Sequence, residues 1–211
     1  IAIDNVCAWP QLLSLPDGRI VAAIFNQPCH GKWEGDVECW EGREGGRFWA
    51  RLGTIAPHDA GTVRMNVAAG LAWNGDLVAL VAGWGGAGLR GRLLPAWVCR
   101  SDDGGRTWTR SETLPLPPAQ RNAVPFGQVI RLAERTLGVA AYSFEPASRA
   151  AVSWFFTSED DGRTWGSPVR IGDGCNETDI LHLGGGRIVA AARLVGGGAL
   201  AQFVSGDFGR R

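Results

Sequence analysis

The sequence predicts an all-β fold, a β-propeller of repeated four-stranded antiparallel blades. Three observations predict it: a composition rich in glycine and tryptophan, an eight-residue motif that recurs along the chain, and a hairpin signature between its copies. The 211 residues include 31 glycines and 10 tryptophans. Glycine at that density argues for many tight turns, and tryptophan with branched aliphatics argues for strands. Helical periodicity is found nowhere.

The motif is the firmest of the three. Ser101-Asp102-Asp103-Gly104-Gly105-Arg106-Thr107-Trp108 recurs as Ser158-Glu159-Asp160-Asp161-Gly162-Arg163-Thr164-Trp165, and both fit Ser-x-Asp-x-Gly-x-Thr-Trp. A degenerate copy runs from Gly42 to Trp49, and a fourth begins at Ser205-Gly206-Asp207-Phe208-Gly209. The spacing falls in the range of propeller blades.

Between the copies lies a second repeat, two apolar stretches around a turn. These cover residues 12–24 around Asp17-Gly18, 67–81 around Asn74-Gly75, 129–141 around Glu134-Arg135, and 180–192 around Gly185-Gly186. Asp-Gly and Asn-Gly between apolar runs signal hairpins, because both turn residues must tolerate positive φ. A third strand leads into each motif (37–40, 97–100, 153–157, 200–204) and a fourth leaves from its Trp. Four antiparallel strands per unit make a blade. Blades are expected at about 1–54, 55–113, 114–170 and 171–211, the last incomplete, so that one domain holds about three and a half of six.

Composition excludes several classes of function. Formal net charge is zero and no Lys/Arg run occurs, which points away from nucleic acid and anionic membranes. No segment is long and apolar enough to cross a bilayer as a helix. The five cysteines are scattered without a CxxC pair, so neither a disulfide framework nor a zinc site is expected. Buried residues in strands are the expectation for them. No metal or cofactor is expected, and oligomeric state stays open. The first residues do not read as a signal peptide; either a leader has been removed or the chain begins inside a longer protein.

Propeller connectivity sorts the loops. Motif turns lie on one face of the disc. The connections from second to third strand, and from blade to blade, lie on the other and surround the channel mouth. These are residues 26–36, 55–66, 83–95, 116–125, 144–151 and 172–179, which hold all the histidines but one. Aligning the hairpins on their turns puts Trp9, Asn66, Phe126 and Glu177 together at the start of the inner strand. It puts Phe25, Ala82, Tyr142 and Arg193 together at the end of the next. Asn66, Glu177, Tyr142 and Arg193 are the polar members, and polar groups at such places are costly to bury unpaired.

The repeated motif resembles the Asp-box of bacterial and viral sialidases, also called the BNR repeat, and implies a sialidase-like propeller. In that motif the Asp folds back on its turn and the Trp packs between blades, so Asp103 and Asp160 are expected as turn-makers. The segment Asn176-Glu177-Thr178-Asp179, followed by Ala191-Ala192-Arg193, is similar to a sialidase segment. There the Glu is the general base that activates a tyrosine nucleophile, and the Arg is one of three that clamp the substrate carboxylate. A bidentate guanidinium suits a carboxylate, and a phenol at its ordinary pKa needs a base.

The general acid of sialidases is an Asp in the loop of the first blade, which makes Asp36 the candidate, with Glu34 and His30 behind it. His30 reads either as a substrate contact or as a solvent-exposed loop residue. Departures are equally plain. Ala8 stands where the first arginine belongs, with Arg64 or Arg121 as replacements. The only tyrosine, Tyr142, lies in the third unit, whereas the nucleophile and third arginine of sialidases come later and are expected beyond Arg211. The resemblance implies an exo-acting glycoside hydrolase that cleaves a terminal acidic sugar from glycans, secreted or periplasmic. The alternative is a non-catalytic propeller that binds glycans or proteins.

Overall fold

The computed structural model describes residues 3–6, 9–89, 91–112, 114–116, 123–145, 148 and 150–210. Fifteen strands follow one another among them. The first unit is β1 (Gln11–Ser14), β2 (Ile20–Phe25), β3 (Val37–Arg43) and β4 (Phe48–Ala56). The second is β5 (Thr62–Leu71), β6 (Leu77–Gly85), β7 (Arg92–Ser101) and β8 (Thr109–Ser111). The third is β9 (Val124–Ala133), β10 (Thr136–Phe144), β11 (Ala151–Ser158) and β12 (Val169–Asp173). Then come β13 (Cys175–Gly184), β14 (Arg187–Leu194) and β15 (Leu200–Ser205).

Within each unit consecutive strands pair antiparallel. The first strands of the units are the innermost. Strands β5 and β9 even join in parallel at Ala68↔Gly127 and Ala69↔Gln128, while β1 packs on β5 and β13 packs on β9. Here backbones converge so closely that a Cβ on Gly70 would lie 2.0 Å from the Val129 carbonyl oxygen, so only glycine fits.

The core lies between successive sheets. In β6, Leu77, Ala79 and Val81 join Val21, Val37 and Ile55 in one cluster, and Val78 and Leu80 join Val129, Leu137 and Phe156 in the next. The alternation along a strand delivers side chains to both faces. A strand buried on both faces must be continuously apolar, which is how β6 reads.

The Asp-box turns close as the motif implies. Asp103 accepts hydrogen bonds from the Ser101 hydroxyl at 2.8 Å, the Arg106 and Thr107 amides at 3.0 Å and the Thr107 hydroxyl at 2.6 Å. Asp160 repeats the pattern with Ser158, Arg163 and Thr164, and Asp207 with Ser205 and Arg210. Gly105 has φ +98°, and a Cβ there would meet Cys39 Sγ at 2.6 Å. The degenerate first copy keeps one bond of the set: Trp49 Nε1 donates to the Gly46 carbonyl at 2.9 Å, as Trp108 does to Gly105 at 3.0 Å. Trp108 packs on the first inter-sheet core and Trp165 belongs to the second.

Asp161, the neighbour of the box aspartate, ties the second and third units together. Its buried carboxylate accepts the amides of Trp73 at 2.6 Å and Asn74 at 3.1 Å, on the β5–β6 turn. Arg100 joins the same knot through Asp76 at 2.7 Å and Asn74 at 3.0 Å. Cys39, Cys99 and Cys175 are buried and free, and burial pushes the thiols of Cys39 and Cys99 up to about 12.

The hairpin alignment needs correction in the third unit. Tyr142 pairs with Val124, not with Phe126, because β9 slips by two residues between Val139↔Val129 and Ala140↔Phe126. The skipped residues, Gly127 and Gln128, are the ones that pair with β5, and Asp179 Oδ1 accepts the Gln128 amide at 3.1 Å. A slip of two keeps every side chain on its face, so Tyr142 keeps the orientation that the alignment expects.

Candidate active site

A cavity of about 120 Å³ opens where the strand-two and blade-to-blade loops converge. Trp9 enters it from before β1 and His30 from the β2–β3 loop; Met65 and Asn66 come from the start of β5. Trp84 closes β6 and Leu89 follows it, Tyr142 nears the end of β10, and Glu177 opens β13. Phe25, Val63 and Met65 are buried beneath, with Trp9, Trp84 and Leu89 packed against them. Trp9 and His30 meet edge to face with ring centroids 4.6 Å apart. The Trp84 indole donates to Asn66 Oδ1 at 3.1 Å, which satisfies an amide that is 6% exposed.

Glu177 reaches the cavity through a bulge. The β13–β14 ladder jumps from Cys175↔Leu194 to Thr178↔Ala192, leaving Asn176 and Glu177 to share one residue, Arg193, on the partner strand. A bulge of this kind re-aims a side chain. Ser153, fully buried on β11, holds it: its hydroxyl lies 3.2 Å from the Cys175 carbonyl, 3.0 Å from that of Asn176 and 2.7 Å from the Thr178 hydroxyl. Arg193 then donates to Glu177 Oε2 at 2.8 Å, the side chains being 54% and 29% exposed.

Tyr142 is 7% exposed. Burial pushes its phenol up to about 12, with the negative charge of Glu177 adding to the effect. At neutral pH it is a hydrogen-bond donor rather than a phenolate.

Other predicted residues fall elsewhere. Arg64 alternates with Val63 and Met65, which serve the cavity floor, and so points the opposite way. Its guanidinium stacks 3.7 Å from the Trp97 ring centroid and donates to the Pro95 carbonyl at 2.7 Å, and burial lowers its pKa. It is not among the cavity residues, because its head is committed between Trp97 and Pro95. Asp36 is also outside the lining. Its Oδ1 accepts the His58 amide at 2.8 Å and lies 2.6 Å from His58 Nδ1. Arg121 and Ala8 lie outside the described residues.

The structure thus gathers His30, Asn66, Tyr142 and Glu177 at one cavity, with Arg193 on Glu177. Sequence reasoning missed Trp84, Leu89 and Met65 as lining, and gave no role to His58 or Ser153. Trp84 and Leu89 fall in a loop already assigned to the mouth, which was the available signal. His58 is 22 residues from Asp36 and Ser153 is 25 from Thr178, and no local pattern links either pair.

The BNR repeat-like domain family matches residues 13–211. No curated protein matches the chain in sequence. Among solved structures the chain is similar to the Hadza microbial sialidase Hz136, with TM-score 0.81 and 19% identity over 96% of this chain and 45% of that one. It is similar to Trypanosoma rangeli sialidase in complex with the inhibitor DANA, with TM-score 0.77 and 18% identity over 96% of this chain and 36% of that one. The K499G mutant of NanB sialidase from Streptococcus pneumoniae gives TM-score 0.78 and 13% identity over 98% of this chain and 51% of that one. The chain therefore spans about half or less of the length of these structures, and the likeness is one of fold.

Proposed function

Because the chain belongs to the BNR repeat-like domain family, with a match over residues 13–211, we propose that it is part of an exo-acting glycoside hydrolase that removes a terminal acidic sugar from glycans. The observation that carries this reading is Glu177 in the cavity wall, ion-paired to Arg193 and electrostatically coupled to Tyr142. A carboxylate held in a mouth lined by aromatic side chains and the amide of Asn66 is what a sugar site needs: apolar faces for the ring, and few convergent polar groups for orientation.

In this reading Glu177 is the base, and Asp36, outside the cavity lining but next to Gly35, which bridges to Val63 of the cavity floor, is the acid. Glu177 takes the proton of an attacking tyrosine hydroxyl, from a tyrosine other than Tyr142, and that oxygen bonds to the anomeric carbon. The bond from that carbon to the aglycone oxygen breaks, its electron pair leaves on the oxygen, and a proton from Asp36 neutralises it. Water then attacks the same carbon; Asp36 recovers a proton from it, and Glu177 returns one to the departing phenol. Arg193 meets the substrate carboxylate, and its exposure of 54% leaves room for that contact. Tyr142, held neutral, donates to a sugar oxygen, and His30 and Asn66 contact the ring substituents.

Secretion or a periplasmic location belongs to the same proposal; among the described residues no helix is long and apolar enough to cross a membrane. The test is expression of the polypeptide that contains this chain, with assays on fluorogenic sialosides and uronides. Hydrolysis that is abolished by Glu177→Gln supports the reading. Binding without hydrolysis of either substrate class overturns it in favour of a glycan-binding propeller.

A further inference from the structure

His58 follows Ala56, the end of β4, by two residues, and no step above uses it. Its backbone amide donates to Asp36 Oδ1 at 2.8 Å, and its ring Nδ1 lies 2.6 Å from the same oxygen. Its other ring nitrogen, Nε2, is 3.4 Å from Glu34 Oε2. Glu34 is fixed in turn, since its Oε1 accepts the Gly61 amide at 2.8 Å. One imidazole therefore bridges two carboxylates of the β2–β3 loop.

The backbone of Asp36 is equally constrained. Its amide donates to Asn26 Oδ1 at 2.9 Å, and the Asn26 amide donates back to the Asp36 carbonyl at 3.0 Å. The preceding residue, Gly35, bridges to Val63 at the start of β5, beside the cavity floor. The side chain keeps 23% exposure, and among the described residues Oδ2 has no hydrogen bond.

The geometry points to His58 as a positioning residue for Asp36, with Glu34 orienting the His58 ring. This rests on the reading of Asp36 as the general acid. A carboxyl that rotates freely presents either oxygen to the substrate. Two contacts from one residue on Oδ1 stop that rotation and leave Oδ2 as the oxygen that exchanges a proton. When the glycosidic bond breaks, the proton on Oδ2 moves to the departing oxygen and Asp36 is left as the carboxylate. When water attacks, Oδ2 takes a proton back. Holding an imidazole by a carboxylate on its far nitrogen is the familiar way of setting its ring orientation. Two loops from adjacent units are joined by the arrangement, so the acid is aimed by the seam between sheets rather than by its own loop.

The test compares kcat/KM for two substrates that carry the same sugar, in the full polypeptide that contains this chain. A 4-methylumbelliferyl sialoside expels a leaving group that needs little protonation, whereas sialyllactose expels an alkoxide that needs it fully. His58→Ala is expected to lower kcat/KM about 10- to 100-fold more for sialyllactose than for the umbelliferyl substrate. His58→Asn, which keeps an N–H near the position of Nδ1, is expected to recover most of that difference. Equal losses on the two substrates, or no recovery with Asn, overturn the role of His58 while leaving the glycosidase reading intact. If the unaltered polypeptide hydrolyses neither substrate, the glycosidase reading fails and this inference fails with it.

Discussion

Arg193 donates to Glu177 Oε2 at 2.8 Å across a β-bulge, so the cavity carboxylate is oriented by the strand beside it rather than by its own. Both side chains are substantially exposed, and exposed ion pairs contribute little to stability. The pair therefore separates a functional role from a structural one. Arg193→Ala is expected to cost less than about 1 kcal/mol of folding stability by urea titration. The same variant is expected to lower sialoside hydrolysis by about 100-fold or more, since charged clamps act on the reacting substrate. A large loss of stability with unchanged turnover would count against the assignment.

Ser153 makes the opposite prediction. Its hydroxyl is buried and meets two carbonyls and Thr178 of the bulge. Ser153→Ala leaves those acceptors without this donor and is expected to cost about 1–3 kcal/mol. Hydrogen exchange at residues 175–178 should accelerate in the same variant, with the distant Asp-box turns unchanged.

Tyr142 offers a spectroscopic reading, because it is the only tyrosine in the chain. Burial, with Glu177 adding to it, raises its phenol from 10 to about 12. Phenolate absorbance near 295 nm should thus appear only as pH approaches 12 in the folded protein, and near 10 after unfolding. The linked stability is present below pH 10, where both states are protonated, and is lost as pH rises through 12. Glu177→Gln should lower the midpoint only modestly, since burial is the larger cause.

Acid tests the Asp-box turns. The Thr107 hydroxyl and amide hold the Asp103 carboxyl well below the usual carboxylate range. Burial raises Asp160, but its bonds to Thr164 and Ser158 outweigh that and the net direction is down. The Arg19 guanidinium lowers Glu41 in the same way. The unfolded chain binds more protons at these groups, so stability is full above the unfolded carboxylate values near about pH 4 and falls as pH drops through the lowered ones. The urea midpoint should hold above about pH 4 and decline as pH falls below it, and Asp103→Asn should make the decline shallower.

Asp161 provides the last prediction. It accepts two backbone amides of the neighbouring unit from a buried position. Asp161→Ala orphans Trp73 N and Asn74 N and is expected to cost about 2–4 kcal/mol. Asp102→Ala, on the exposed side of the other box, should be nearly silent. Equal effects would count against Asp161 as the tie between the second and third units.

Much of the fold was legible because its signals are local. Asp103 with Thr107, Gly75 in its turn and the apolar run of β6 each state their own structure within a few residues. Tyr142 shows where locality ends. Its partner is Val124 because Gly127 and Gln128 are drawn to β5, a pairing between residues nearly sixty positions apart. Arg64 shows the same limit: expected on a loop at the mouth, it lies in β5, where a bulge between Arg64 and Asn66 puts the two on different faces.

By itself the sequence determined an all-β chain of repeated antiparallel units, the turns that close them, and the mouth at which Glu177, Arg193, Asn66, Tyr142 and His30 were expected. Those follow from periodicity and turn chemistry, which act over a handful of residues. Tertiary structure alone decided that Glu177 is aimed by Ser153, that Asp36 is gripped by His58, and that Arg64 is spent on Trp97. The first two contacts reach from one unit to the next and the third reaches from β5 to β7 within the second unit; all are set by how the strands pack, and a contact of that kind has no spacing in the chain to announce it.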